Sequence, residues 1–171
     1  MPTEGRFAKA FQEQLTPAQR ADLLDVVYIQ DAGCFLFHDK IRCQSGNSSV
    51  EKRLNSSFRP VGFLTMTKSL SFIVPPAVYL VDDSGALQRL PETFEAWRGY
   101  ELNNPIRVEN LVPLSGAVAF GDQYLLLTQD QKLLKWEPSA NNWLEVAADG
   151  DKQIYKKLIG PFEWSKKLEE L

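Results

Sequence analysis

The residues best suited to chemistry in this sequence are its two cysteines and its only histidine, which share a ten-residue segment. Cys34, His38 and Cys43 form a Cys-x3-His-x4-Cys cluster. Thiolates and imidazole bind zinc, but a structural zinc ion needs four ligands, so an acidic residue such as Asp39 would have to complete the set. If His38 and Asp39 instead form a two-residue turn, the two cysteines face each other on paired strands, close enough for a disulfide. The third interpretation, which the sequence favours, is that both cysteines are small apolar residues of a packed strand, so we expect no metal site.

Nucleophilic catalysis finds little support in the residues. Any Ser-His or Cys-His pair would have to use His38, and along a strand Cys34 would lie ~13 Å from it. No nucleophile-elbow, dinucleotide-binding or phosphate-loop pattern occurs. We therefore expect no catalytic residue and no cofactor. A site built from carboxylates alone stays open, because such pairs assemble across a fold rather than along the chain.

Basic residues gather in one polar part of the chain. Residues 42–68 contain five basic side chains and one acidic side chain, Glu51. We interpret residues 44–59, which are rich in Ser and Asn, as a long exposed loop. Such a loop either binds phosphate or an acidic protein surface, or is merely solvated. The candidate binding residues in this region are Arg42, Lys52, Arg53 and Arg59.

Three tryptophans are further candidates for binding, as aromatic anchors for a partner, although tryptophan is also typical of a protein core. They are Trp97, Trp136 and Trp143. The segment from Leu134 to Trp143 resembles the hairpin that ends a kelch blade. The resemblance covers ten residues and occurs once, so it implies a type of turn rather than a family.

The elements around these residues indicate a strand-rich α+β fold. We predict helices over residues 1–25, where Thr16, Pro17 and Gln19 give a capping pattern, and again over 151–171. Between them, residues 26–148 read as antiparallel strands joined by hairpins that turn at Asp31–Gly33, Asp82–Gly85 and Gln129–Gln131. We expect one curved antiparallel sheet or partial barrel. The alternative is a repeat of propeller-blade spacing, since tyrosine-led strands recur at intervals of 51 and 45 residues.

Length and composition suit one globular domain over residues 1–171. Hydrophobic residues make up 44% and charged residues 24% of the chain. The net charge of −3 argues against non-specific nucleic-acid binding, and no apolar run is long enough to span a bilayer. The amino terminus lacks the apolar core of a signal peptide, which predicts a cytoplasmic protein.

The function that these features favour is a non-catalytic module that binds another protein, as an accessory, scaffold, phage-component or immunity protein does. It would act through an acidic sheet surface, the basic loop and aromatic anchors. One alternative is a small ligand-binding protein or enzyme with a carboxylate site in a sheet-lined pocket. The other is a nucleic-acid-associated protein that uses the basic loop.

Overall fold

The computed structural model describes residues 15–70, 74–102, 105–107, 112–120 and 123–146. The helices predicted for residues 1–14 and 151–171 lie outside the described residues. The second predicted amino-terminal helix is present as α1, Pro17–Asp22, and it begins with the predicted capping box. Thr16 Oγ1 accepts a hydrogen bond from Gln19 N, and Gln19 Oε1 accepts one from Thr16 N. The helix ends before the predicted Asp25, because the backbone turns extended at Leu23 and enters the first strand.

About half of the described chain is strand and it contains two short helices, which confirms the strand-rich prediction. The second helix, α2, spans Phe94–Arg98 and is capped by the side chain of Thr93. The strands are β1 Asp25–Ile29, β2 Ala32–Leu36, β3 Lys40–Ser45, β4 Ser48–Arg53, β5 Pro60–Thr65, β6 Val78–Asp82, β7 Ala86–Arg89, β8 Ile106–Arg107, β9 Leu114–Phe120, β10 Gln123–Thr128, β11 Leu133–Glu137 and β12 Asn142–Glu145.

These strands form three separate four-stranded antiparallel sheets, not the single curved sheet or partial barrel that we expected. Each sheet is a meander of consecutive strands: β1 to β4, β5 to β8 and β9 to β12. The reason is that consecutive strands pair with one another, whereas no strand ladder joins one set of four to another among the described strands. Short turns connect the strands of the first and third sheets, and longer segments, residues 66–77 and 90–105, connect β5 to β6 and β7 to β8 in the middle sheet. Four consecutive antiparallel strands are also the topology of a propeller blade. The tyrosine-led strands do not mark equivalent positions, however, because Tyr28 lies in the first strand of its sheet whereas Tyr79 and Tyr124 lie in the second strands of theirs.

The three sheets are stacked, and the sheet formed by β5 to β8 is the middle layer. One of its faces packs Phe63 and Leu80 against Cys34 and Leu36 of the first sheet. Its opposite face contributes Tyr79, Val81 and Leu87 to a second core that includes Leu126 and Trp136 of the third sheet. Because both faces of the middle sheet are covered, successive residues of β6 are buried: Tyr79, Leu80 and Val81 have no exposed surface.

The first strands of the sheets approach one another at Gly62 in β5. A Cβ atom at this position would lie 3.3 Å from Oδ2 of Asp25 in β1 and 3.6 Å from the carbonyl oxygen of Ala117 in β9. The same Asp25 oxygen accepts a hydrogen bond of 2.9 Å from Phe63 N. The lack of a side chain at Gly62 therefore leaves room for the Asp25 carboxylate, which links β1 to β5.

The three predicted hairpin turns are present. The first uses Gln30 and Asp31, one residue earlier than predicted, because Ala32 already pairs with Ile29. The other two enclose three-residue loops whose third residue adopts a left-handed backbone conformation: Gly85 has φ 87° and Gln131 has φ 69°. This is the usual conformation of a three-residue hairpin loop, and glycine adopts it without strain.

The prediction of a long exposed loop over residues 44–59 is wrong for most of its length. Residues 48–53 form β4, which pairs with β3 through a two-residue turn at Gly46 and Asn47. Gly46 has φ 58°, as such a turn requires of one of its residues. Irregular backbone is confined to residues 54–59, which lead from β4 into β5.

Candidate functional site

The basic hairpin, which we define as residues 40–53, contains β3, its turn and β4. It is at the edge of the first sheet, and β4 pairs only with β3 among the described strands. Cross-strand partners share a face of a sheet. Lys40 is opposite Arg53 and Arg42 is opposite Glu51, so three cations and one carboxylate occupy one face of the basic hairpin.

Two of these three cations interact with neighbouring residues. Lys40 Nζ lies 3.4 Å from Glu51 Oε1 and 5.6 Å from the centre of the Phe37 ring. Arg42 is half-buried and its Nη2 donates a 3.2 Å hydrogen bond to Gln44 Oε1. Arg53 is exposed. This face therefore presents one exposed guanidinium beside two cations that neighbouring residues hold in place.

The basic hairpin has the opposite sign from the rest of the chain. It contains four basic residues and one acidic residue, a formal charge of +3, whereas the whole chain carries −3. The remaining residues therefore carry −6. Charge complementarity favours groups of negative charge at the basic hairpin over the rest of the surface.

The four basic residues that the sequence singled out do not form one cluster. Arg42 and Arg53 share a face, whereas Lys52 is on the opposite face and donates a 3.2 Å hydrogen bond to the carbonyl oxygen of Arg98 at the end of α2. Arg59 is exposed in the following loop, where its carbonyl oxygen accepts a hydrogen bond from Asp83 N.

The three tryptophans that we considered as anchors are in the core. Trp97 has no exposed surface, and Trp136 and Trp143 are 7% and 8% exposed. The latter two face each other across β11 and β12 in an edge-to-face contact, with ring centres 5.4 Å apart. The hairpin between them turns through Asn141, which has φ 47°. The side chains that stabilise this hairpin are thus packed inward and offer little area to a partner.

The Cys/His cluster is divided by the β2–β3 turn. With His38 and Asp39 as the turn, Cys34 pairs with Cys43 at a Cα separation of 4.1 Å, and a disulfide joins them. Both cysteines are fully buried, while His38 is exposed and its Nδ1 contacts the carboxylate of Asp22. In the part of the chain that the structure describes, no three His, Cys, Asp or Glu residues are arranged to hold a metal ion.

The disulfide bears on where the protein works. Disulfides persist in oxidising compartments and are rare in cytosolic proteins. The bond thus favours an oxidising compartment, and the cytoplasmic localisation stays a prediction. The two helices in the described residues are six and five residues long, far short of a membrane span.

A cleft with a volume of about 180 Å³ lies between the loop that follows β4 and strands β6, β7 and β8 of the middle sheet. Its walls include Leu54, Phe58 and Leu80, and its polar residues include Asp82 and Gln88. The sequence assigned Asp82 only to a turn, and it does stabilise that turn. Asp82 also lies at the cleft, which left no signal in the sequence because the cleft forms only when residues 54–58 pack against the middle sheet.

No protein-family model and no curated protein matches this sequence. The structural class of this protein is therefore described from its fold and its site alone. It is an α+β protein of three stacked antiparallel meanders with a basic hairpin at one edge.

Proposed function

We propose that this protein is a non-catalytic binding module whose basic hairpin docks an acidic segment of another protein. The observation that supports this most directly is the position of β4. It is the edge strand of its sheet, and most of its residues are exposed.

An edge strand offers main-chain N–H and C=O groups to an additional strand. Natural proteins often protect such edges with lysines and other charges, and the basic residues of β4 serve that purpose against a second copy of the same strand. An acidic segment does not meet this barrier. The same charges that repel a like strand therefore select an extended segment rich in Asp or Glu.

The chemistry-bearing residues support a binding role over a catalytic one. Cys34 and Cys43 are joined in a disulfide, so neither is available as a thiolate. His38 is 65% exposed, and its described side-chain contact is with Asp22 rather than with a nucleophile.

Affinity capture with charge-reversed baits tests the proposal. The full chain, Lys40→Glu/Arg53→Glu, and a control Lys68→Glu/Lys132→Glu are used as baits in extracts of the source cells, followed by cross-linking and mass spectrometry. Both variants change the net charge equally, and Lys68 and Lys132 are exposed residues outside the basic hairpin. We expect the wild type and the control to capture the same protein in stoichiometric amount, and that protein to cross-link to residues 40–53. The hairpin variant should capture at least about tenfold less of it.

A partner that binds all three baits equally, or that cross-links only to the second or third sheet, would contradict the proposal. Salt provides a second readout. Binding that depends on the basic hairpin should weaken as ionic strength rises, because exposed charges are screened within about 10 Å at 0.1 M salt.

A further inference from the structure

The cleft between residues 54–58 and the middle sheet has the composition of a small-molecule site. One part is apolar and includes Leu54, Phe58, Leu80 and Leu102. Its volume of about 180 Å³ is below the roughly 300 Å³ at which pockets begin to accept drug-sized ligands. A ligand that fits it has the size of one amino acid or one small metabolite.

Asp82 places a largely buried carboxylate at the cleft. The residue is 3% exposed, and its Oδ1 accepts three hydrogen bonds, from Ser84 N, Ser84 Oγ and Ala86 N, at 2.8–3.0 Å. Among the described residues no donor contacts Oδ2. The turn therefore fixes the carboxylate through one oxygen while the other can accept a hydrogen bond from a ligand in the cleft. A buried carboxylate oxygen binds a charged donor, such as an ammonium group, better than a neutral one.

Gln88 adds a second acceptor. It is 5% exposed and lies on β7, where its Nε2 donates to the carbonyl oxygen of Arg89 and contacts the hydroxyl of Tyr100. Those contacts use the amide nitrogen and leave Oε1 without a donor in the described part of the chain. Two acceptors in one cleft favour a ligand group with several N–H donors, which an ammonium group provides.

Arg107 places a positive charge at the mouth of the same cleft. It is exposed, and its Nη1 donates a 3.3 Å hydrogen bond to Ser84 Oγ, which in turn donates to Asp82 Oδ1. Only two hydrogen bonds therefore separate the guanidinium from the carboxylate. The remaining N–H groups of Arg107 are suited to a ligand carboxylate.

We propose that this cleft binds a free α-amino acid with an apolar side chain. The ammonium group binds Asp82 Oδ2 and Gln88 Oε1, the carboxylate binds Arg107, and the side chain packs against Leu80 and Phe58. A zwitterion matches the two opposite charges of the cleft, whereas a simple amine leaves Arg107 unpaired and a simple acid leaves Asp82 unpaired. This site is separate from the basic hairpin and does not depend on the function proposed above.

Calorimetric titration of the full chain with three probes tests this assignment. The probes are L-leucine, 4-methylpentanoate, which lacks the ammonium group, and 3-methylbutylamine, which lacks the carboxylate. We expect L-leucine to bind with a Kd below about 1 mM and each analogue to bind at least about tenfold more weakly. Failure of L-leucine and of the other apolar amino acids to bind at about 10 mM would overturn the proposal, as would equal binding of all three probes.

Two variants test the assigned contacts. In Arg107→Gln, L-leucine should bind no better than 3-methylbutylamine, while binding of the amine is unchanged. The matched control is Arg89→Gln, which removes an exposed guanidinium outside the cleft and should leave all affinities unchanged. Asp82→Asn keeps the accepting Oδ1 of the turn and should weaken L-leucine and the amine by at least about tenfold. Equal L-leucine affinity in Arg107→Gln and Arg89→Gln would refute the role of Arg107.

Discussion

Replacing Asp25 with asparagine should destabilise the protein although the side chain keeps its size. Asp25 is 5% exposed, and its two carboxylate oxygens accept hydrogen bonds from two backbone N–H groups. Oδ1 accepts from Val26 N at 2.8 Å, and Oδ2 accepts from Phe63 N at 2.9 Å in the neighbouring sheet. Asparagine has one accepting oxygen and one donating NH2 group. In either orientation of the amide, one of these N–H groups faces another donor.

The expected loss follows from the type of bond that is removed. A hydrogen bond to a charged group contributes about 1.5–3 kcal/mol, and a buried N–H without an acceptor costs about 1–3 kcal/mol. These two figures describe the same change and are not added. We expect the free energy of unfolding to fall by about 2 kcal/mol. With a urea m-value of about 2 kcal/mol/M, the midpoint of unfolding should fall by about 1 M while m itself is unchanged.

Urea denaturation followed by tryptophan fluorescence measures this, because Trp97, Trp136 and Trp143 are buried in the folded protein. The control is Asp39→Asn, which makes the same chemical change at an exposed turn in the same sheet and should shift stability by less than about 0.5 kcal/mol. If Asp25→Asn shifts the midpoint no more than the control does, the carboxylate does not link the first sheet to the middle sheet in the way described.

Three further measurements test other parts of the fold. The disulfide between Cys34 and Cys43 closes a loop of about ten residues, so its reduction should lower the free energy of unfolding by about 2.7 kcal/mol in the chain-entropy model. The stability of a Cys34→Ala/Cys43→Ala variant should not respond to reductant. If the variant and the wild type respond equally, the bond is not the cause. Gln131→Gly should raise stability by about 0.5–1 kcal/mol in the same urea assay, because glycine adopts φ 69° without strain, and a loss of stability would contradict the left-handed conformation. The hydrogen bond from Thr128 and the charge of Lys132 hold the pKa of Asp130 below its ordinary value. The Asp130 carboxylate therefore stabilises the fold at pH values above its pKa in the unfolded chain, and this stabilisation is lost as pH falls through its lower pKa in the folded protein. An NMR titration that gives Asp130 an ordinary or raised pKa would refute this.

Turns and short-range pairings were predictable because their causes are local. Asp82 and Gly85 supply a cap and a left-handed residue within one loop. The register of the cysteines follows from counting outward from a two-residue turn at His38 and Asp39, and Cys34 does pair with Cys43. The sequence favoured two packed thiols over a bond, because register sets only the separation and the oxidation state depends on the compartment.

The strand β4 was missed because its sequence carries no apolar alternation. Its residues are Ser, Ser, Val, Glu, Lys and Arg, and edge strands with two partly solvated sides do not need apolar side chains. One signal was present: Gly46 and Asn47 form a dipeptide that is typical of two-residue hairpin loops. The cleft had no comparable signal. Asp82, Gln88 and Arg107 are brought together with residues 54–58 only when that loop packs against the middle sheet.

The stacking of the sheets was also indicated in the sequence, by the length of the apolar runs rather than by their period. A half-buried strand alternates, whereas Val78–Val81 and Tyr124–Leu127 are continuous apolar runs, which favour strands that are covered on both faces. One curved sheet over a single core would leave every second residue of these runs in water. In the structure, successive residues of each run enter different cores: Tyr79 and Leu80 point to opposite sides of the middle sheet, and Leu125 and Leu126 do the same in the third. In the middle sheet, this two-sided burial comes from a neighbouring sheet on each face, and that distinguishes a stack from a partial barrel.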